Sequence, residues 1–260
     1  MKRNGDDIAE RVKRANREIY NGKSVEEYDR NESIFNEKRQ ADCAAKLAEA
    51  AERSGNGRFL DIGTGSGNLL RVAPGIFEEC HAVDLGEKML MRIKKRHPSV
   101  QLTAADAEHL PFKNSSFNVV SCYAMLHHLY SHRELFEESL RVLKPGGTLY
   151  TDHDPNYFLN RFYRVIYKIR FAGKSGFGSE AEDLAEYHNA KTAGLNPLKL
   201  KKQLLDTGFE TVKVTYRITD KPNWGHVMSA TVGFLKTASA ILPLKSFFTH
   251  FSIMAVKPKI

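Results

Sequence analysis

Three cysteines in 260 residues, Cys43, Cys80 and Cys122, are too few and too scattered for a disulfide framework, and no two stand at metal-ligand spacing. They read as buried or incidental thiols. The start of the chain lacks the combination of a basic stretch, an apolar core of signal-peptide length and a small-residue cleavage site, so the expectation is a cytoplasmic protein. Long apolar runs are missing too: residues 224 to 248 are interrupted at Gly233, Lys236 and Pro243 and make a poor membrane span. There is no acidic excess. The net charge is +8, and it is unevenly placed, with 23 basic and 23 acidic residues in 1–153 against 16 and 8 in 154–260. That asymmetry implies either an anionic partner or surface met by the C-terminal part, or plain solubility.

With 42% hydrophobic and 27% charged residues the chain can bury a full core. Between 58 and 152, apolar β-like runs (58–62, 81–83, 100–104, 119–123 and 147–151) alternate with helix-compatible stretches or longer connections. This alternation predicts a parallel sheet with helices on both faces. Ligands of such sheets bind at the carboxyl ends of the strands, so chemistry is sought just after each run.

The first such end is FLDIGTGSGNLL, 59–70. Gly63, Gly65 and Gly67 allow a tight turn and close approach of a ligand to the backbone, and a helix is expected to follow and offer N–H groups. A dinucleotide fingerprint would place its third glycine at 68, which is Asn68, so a pyrophosphate fits poorly. Asp61 stands two residues before the first glycine, placed to face a cationic group. The second end puts Asp84 at a strand tip, suited to the two hydroxyls of a ribose. The third, AADAEHLPF, puts Asp106 where an amino group such as that of adenine would donate to it. Solvated loop acids and a ligand-free turn are the alternatives.

Together with FNVVSCYAMLHHL (117–129) and RVLKPGGTLY (141–150), these residues resemble the class I S-adenosylmethionine-dependent methyltransferases, of the small-molecule type similar to quinone-biosynthesis members. The resemblance covers 58–152 strongly and 197–216 weakly. It implies an α/β, Rossmann-like, seven-stranded sheet with helices on both faces and the last strand antiparallel, with 210–216 and 251–256 as the final two strands. It further implies S-adenosylmethionine as cofactor and S-adenosylhomocysteine as product. Gly63 and Gly65 would line the methionine part, Asp61 would support its ammonium, and Asp84 would hold the ribose. Leu85 and Met89 would pack on the adenine, Asp106 with Ala107 would read its edge, and the backbone near Cys122 would complete the ammonium contact. Plain core packing is the alternative for Leu85 and Met89.

The expected organisation is a helical cap segment at 1–57, in which Tyr28 is a candidate to close over the cofactor, and a methyltransferase domain at 58–260 with lid insertions at about 155–196 and 217–250. A sulfonium already carries a good leaving group, so alignment and exclusion of water are the main demands. Where a hydroxyl or protonated amine is the acceptor, His153 is the candidate general base, and the paired His127 and His128 are expected to be structural. No metal is expected: SHRE, 131–134, has the form of a capping box, so a helix starting at Ser131 would separate His128 from His132. The strand end SCYA lacks an Asn-Pro-Pro-aromatic motif, and Cys122 lacks a preceding proline, which disfavours methylation of nucleic acid bases. In 155–171, Phe158, Phe162, Val165 and Ile169 form an apolar stripe beside Arg161, Arg164 and Lys168; this helix would be a lid, a contact with anionic membrane, or core packing. Asn196 and Pro197 start a further helix and Gly208 stops it. The reading is a methyltransferase acting on a small, lipophilic or anionic molecule. An RNA methyltransferase and a cofactor-binding protein without turnover are the alternatives, and the oligomeric state is left open.

Overall fold

The computed structural model describes residues 2–22, 37–159, 161, 179–192, 194–218, 237 and 248–260. In chain order the described elements are α1 (Lys2–Gly22), α2 (Glu37–Ser54), β1 (Arg58–Ile62), β2 (Glu79–Asp84), α3 (Glu87–Lys94), β3 (Gln101–Ala104), β4 (Phe117–Tyr123), α4 (Arg133–Val142), β5 (Leu143–Pro155), α5 (Glu180–Ala185), α6 (Tyr187–Lys191), α7 (Pro197–Thr207), β6 (Thr211–Arg217) and β7 (His250–Val256). The seven strands form one sheet in the order β3-β2-β1-β4-β5-β7-β6. β1 pairs in parallel with both β2 and β4, and β7 runs antiparallel to both its neighbours. The expected architecture is the one observed.

Successive side chains of a strand point to opposite faces, and both faces of the central strands are covered, so β1, β2 and β4 are buried along most of their length whereas the edge strands β3 and β6 are not. Phe59 packs on the side of α2 and α3, with Leu47, Ala50, Met89 and Ile93, whereas Leu60 and Ile62 pack on the side of α4 and α7, with Phe136, Leu200 and Leu204. The sheet is therefore held from both sides, and its carboxyl edge is fixed in place.

Two local expectations are corrected. After the glycine turn the chain makes two short 3-10 turns, Leu69–Arg71 and Ala73–Gly75, in place of an α-helix. Pro74 lacks the N–H that a helix interior needs and Gly75 follows it, so the segment cannot extend. The helix expected from Ser131 begins at Arg133, with His132 at its cap. Ser131 Oγ instead donates to Glu134 Oε2 at 3.0 Å and accepts from Arg133 N at 3.4 Å, so the reciprocal side-chain-to-backbone bonds of a capping box are not made. A true capping box sits at Ser179 and Glu182, at the start of α5. The α7 boundaries are as expected: Asn196 accepts from the N–H groups of Leu198 and Lys199, and Gly208 turns the chain left-handed at φ 117°. Most of the stripe at 158–171 (160 and 162–171), the glycines of 171–178, most of the 217–250 insertion and Tyr28 lie outside the described residues.

Candidate functional site

The carboxyl edge of β1 is shaped by hydrogen bonds from the glycine turn. The N–H groups of Gly63 and Thr64 both donate to Val83 O, at 2.9 and 3.1 Å, which draws the turn over the end of β2. Gly63 has φ 68°, and a Cβ there would overlap Met125 Cγ, so both the backbone conformation and the space demand glycine. Asp84, at the end of β2, ties this turn to the next one: Oδ2 accepts from Gly65 N and Oδ1 from Gly86 N, each at 2.8 Å. Burial raises the Asp84 pKa, and these backbone donors oppose the shift.

One cavity of about 110 Å³ opens at this edge. Its floor comes from Gly63, Gly65, Asp84, Leu85, Met89, Asp106 and Ala107, so seven of the residues singled out in the sequence converge on it. Asp61 and Cys122 are not in the lining. Asp61 is buried below the turn, where Oδ1 accepts from Ser121 Oγ at 2.6 Å; burial pushes its pKa up to about 6, with the neighbouring Asp84 adding to the shift. Cys122 is fully buried in the core on β4, and burial raises its thiol far above the ordinary range, which suits an inert thiol. His153 is also absent from the lining. It has φ 68°, and its ring is stacked between Tyr123 at 5.4 Å and His250 at 4.5 Å, across three adjacent strands.

The sequence suggested a cap within 1–57 but not the residues that roof the cavity. The roof is α1, whose Ala9, Val12, Lys13, Asn16 and Tyr20 line the cavity at helical spacing. Lys13 Nζ lies 2.8 Å from Asp106 Oδ2 and 2.6 Å from Glu108 Oε2, both on the loop after β3. Burial pulls the Lys13 pKa down, but the two carboxylates outweigh it and the net shift is upward. Asn16 Nδ2 donates to His128 O at 3.2 Å, and Arg11 pairs with Glu180 of α5 at 2.6 Å.

Beside the cavity stands a polar knot. His127 Nδ1 lies 2.8 Å from the fully buried Asp154, which also accepts from His127 N at 3.1 Å. His128 Nδ1 lies 2.7 Å from Ala185 O; a carbonyl only accepts, so Nδ1 carries the proton and Nε2 its lone pair. That Nε2 faces Tyr20 Oη at 3.4 Å. Glu186, between α5 and α6, brings Oε2 to 3.7 Å from His127 Nε2 and Oε1 to 3.3 Å from Tyr20 Oη. Burial, followed by the charge of His127, holds the His128 pKa down at about 4, so its ring is neutral at pH 7. His132 is engaged elsewhere, with Nε2 donating to Leu126 O at 2.9 Å.

Residues 60–151 match the family profile described as a methyltransferase domain. The ubiquinone/menaquinone biosynthesis C-methyltransferase UbiE of Ectopseudomonas mendocina is 32% identical over 178 residues, which cover 63% of this chain and 68% of that protein. The chain belongs to the class I S-adenosylmethionine-dependent methyltransferases. A demethylmenaquinone methyltransferase of Chlorobaculum parvum is 30% identical over 132 residues, covering 50% of this methyltransferase-family chain and 54% of the relative. The chain spans little more than half the length of several of the curated relatives it matches. Among solved structures, Haemonchus contortus phosphoethanolamine N-methyltransferase 2, in complex with S-adenosylmethionine, superposes with a TM-score of 0.55 at 19% identity, over 88% of this chain and 59% of that one. At that identity the likeness is one of fold.

Proposed function

We propose that the protein transfers the methyl group of S-adenosylmethionine to a small, lipophilic or anionic acceptor. The observation that carries this reading is the convergence of the glycine turn, Asp84 and Asp106 on one cavity at the carboxyl edge of the sheet. These residues fit the cofactor: the left-handed turns at Gly63 and Gly65 bring bare backbone to the cavity lining for its amino acid part, Asp84 retains lone pairs for two ribose hydroxyls, and Asp106 lines the space where an amino group would donate. Leu85 and Met89 supply apolar surface for a base. When bound, the cofactor supplies a methyl group already activated by a sulfonium. The chain then has to orient the acceptor and exclude water.

The roof does the excluding. Val12 on α1, with Met125 and Leu129 opposite, gives the cavity an apolar wall, and Asn16, Tyr20 and His128 give it a polar end. An acceptor with a greasy body and one polar group matches both, and the quinone-directed names of the sequence relatives support the same class. His153 is clamped by two rings away from the cavity lining, and we assign it to holding β4, β5 and β7 together. The segments at 1–57, 155–196 and 217–250 are proposed as the cap and lids that set acceptor choice. Asp61 is proposed to support the cofactor ammonium from beneath the turn.

The test is calorimetric titration of ligand-stripped protein with S-adenosylmethionine, S-adenosylhomocysteine and NAD, followed by a methyl-transfer screen of quinols, isoprenoid phenols and anionic amines. Micromolar binding of the first two ligands and transfer to an apolar acceptor is the expected result. Binding of NAD alone would overturn the reading, and tight cofactor binding with no transfer across the panel would favour a binding protein without turnover.

A further inference from the structure

We propose that His127, His128 and Glu186 together bind one first-row divalent cation of the zinc or cobalt type, beside the cavity and independently of which acceptor the protein uses. The ligand atoms of these three residues lie within 4.8 Å of one another, although Glu186 is more than fifty residues away in the chain. Two imidazoles and a carboxylate make a donor set that suits zinc, with a fourth position for water or substrate oxygen. Magnesium and calcium prefer all-oxygen shells and fit this set poorly.

The surroundings argue for a cation more strongly than the three residues do alone. Metal-bound histidines typically donate their other ring N–H to a carboxylate or a backbone carbonyl, which fixes the tautomer and aims the ligand nitrogen. Both histidines here are held in that way: His127 Nδ1 by Asp154 Oδ1 at 2.8 Å, and His128 Nδ1 by Ala185 O at 2.7 Å. His127 Nε2 is thereby turned toward Glu186 Oε2 at 3.7 Å and His128 Nε2 toward Tyr20 Oη at 3.4 Å, while Glu186 Oε1 meets the same hydroxyl at 3.3 Å and lies 4.0 Å from His128 Nδ1. A second and independent sign is Asp154 Oδ2, which is fully buried and has no hydrogen-bond partner. A buried carboxylate oxygen left in that state is costly unless positive charge is close, and a cation one imidazole away supplies it.

The geometry needs only a modest contraction. Ligand atoms on a tetrahedral zinc stand about 3.4 Å apart, given bond lengths of about 2.0–2.1 Å. His127 Nε2 and Glu186 Oε2 are already at 3.7 Å. Glu186 sits at the junction of two short helices with φ −100° and ψ 39°, its N–H donating to Glu182 O, so the contraction falls on its side chain, which accepts from Tyr20 Oη at 3.3 Å. Through His128 and Tyr20, which line the cavity, a cation held here would meet an acceptor oxygen and favour its ionised form.

The experiment uses the full chain, stripped with a chelator and titrated with Zn²⁺, Mg²⁺ and Co²⁺ by calorimetry and, for Co²⁺, by visible absorption. One equivalent of Zn²⁺ should bind at micromolar affinity or better, and Co²⁺ should give the intense visible bands of a four-coordinate site. Glu186→Gln and His128→Gln should each weaken binding about ten- to a hundredfold, and Asp154→Asn should do so without touching a ligand. The exposed His109 is the control, and His109→Gln should leave the affinity unchanged. Because Asp154 is buried, circular dichroism of each variant accompanies the titration, and the half-buried Glu186 provides the variant least prone to misfolding. Zn²⁺ binding no tighter than Mg²⁺, or binding unaffected by Glu186→Gln in a folded protein, would overturn the proposal, whatever cofactor binding shows.

Discussion

Replacing Asp84 with asparagine separates the two tasks assigned to it. In the structure its two oxygens accept from Gly65 N and Gly86 N, each at 2.8 Å, so both turns at the cavity floor hang on one carboxylate. Asparagine keeps one acceptor oxygen and presents an NH₂ in place of the other, so one backbone donor is left facing a donor. An unsatisfied, partly buried N–H of that kind costs about 1–3 kcal/mol. For a chain of this size, each kcal/mol moves Tm by about 2–4 °C, so a fall on the order of 5 °C is expected. The ribose hydroxyls would lose a charged acceptor, worth about another 1–3 kcal/mol, or roughly 5- to 150-fold in Kd. Differential scanning fluorimetry reads the first effect, and calorimetric titration with S-adenosylhomocysteine the second. A fall in Tm with an unchanged Kd would refute the ribose role and leave Asp84 as a tie between turns. An unchanged Tm would refute the tie.

Three further outcomes follow from named contacts. Lys13→Met removes the cation between Asp106 and Glu108 and should destabilise the closed α1 by about 1–2 kcal/mol, which is a 5- to 30-fold rise in the open population; limited proteolysis within 1–22 should accelerate to match, and an unchanged rate would remove Lys13 as a latch. Asp61 has a folded pKa of about 6, above its unfolded value, so the unfolded chain ionises first as pH rises. The ligand-free protein should therefore lose stability between about pH 4 and pH 6, by about 3 kcal/mol in all, and keep that deficit above pH 6. Asp61→Asn should flatten this slope in urea titrations at stepped pH, and a slope identical to that of the wild type would discard the assignment. His153→Ala should lower Tm through loss of the ring stack while turnover per folded molecule stays within about threefold, whereas a rate collapse with intact cofactor binding would restore the histidine as a base.

The strands and the glycine turn were legible because their signals are local. Phe59, Leu60 and Ile62 are apolar where both faces of the sheet are covered, and Asp84 and Asp106 fall just past such runs. Boundaries were less legible: KPGG at 144–147 reads as a turn, yet it lies within β5, whose pairing with β4 shifts register between Phe117 and Val119. Ser131 and Glu134 have the spacing of a capping box, but spacing does not reveal that the two side chains bond each other. Lys13, Tyr20 and Glu186 were missed for a different reason. Each sits in a polar stretch that looks solvated by itself, and its partner lies far along the chain, 93 residues away for Lys13 and Asp106 and 166 for Tyr20 and Glu186. The same distance hid the approach of Glu186 to His127, while the closer His132 drew attention and proved to be bonded to Leu126 O.

The position of α1 in the chain has a consequence for how the molecule is made. The helix leaves the ribosome early, but its anchor points do not yet exist: Asp106 follows Lys13 by 93 residues, and His128 follows Asn16 by 112. At about 5–20 residues per second that is a wait of roughly 5–20 s. A 21-residue segment by itself is only marginally helical in water, so through that interval it samples open conformations. The cavity is thus assembled floor first, open to solvent and small molecules, and its earliest-synthesised wall is the last to be set in place.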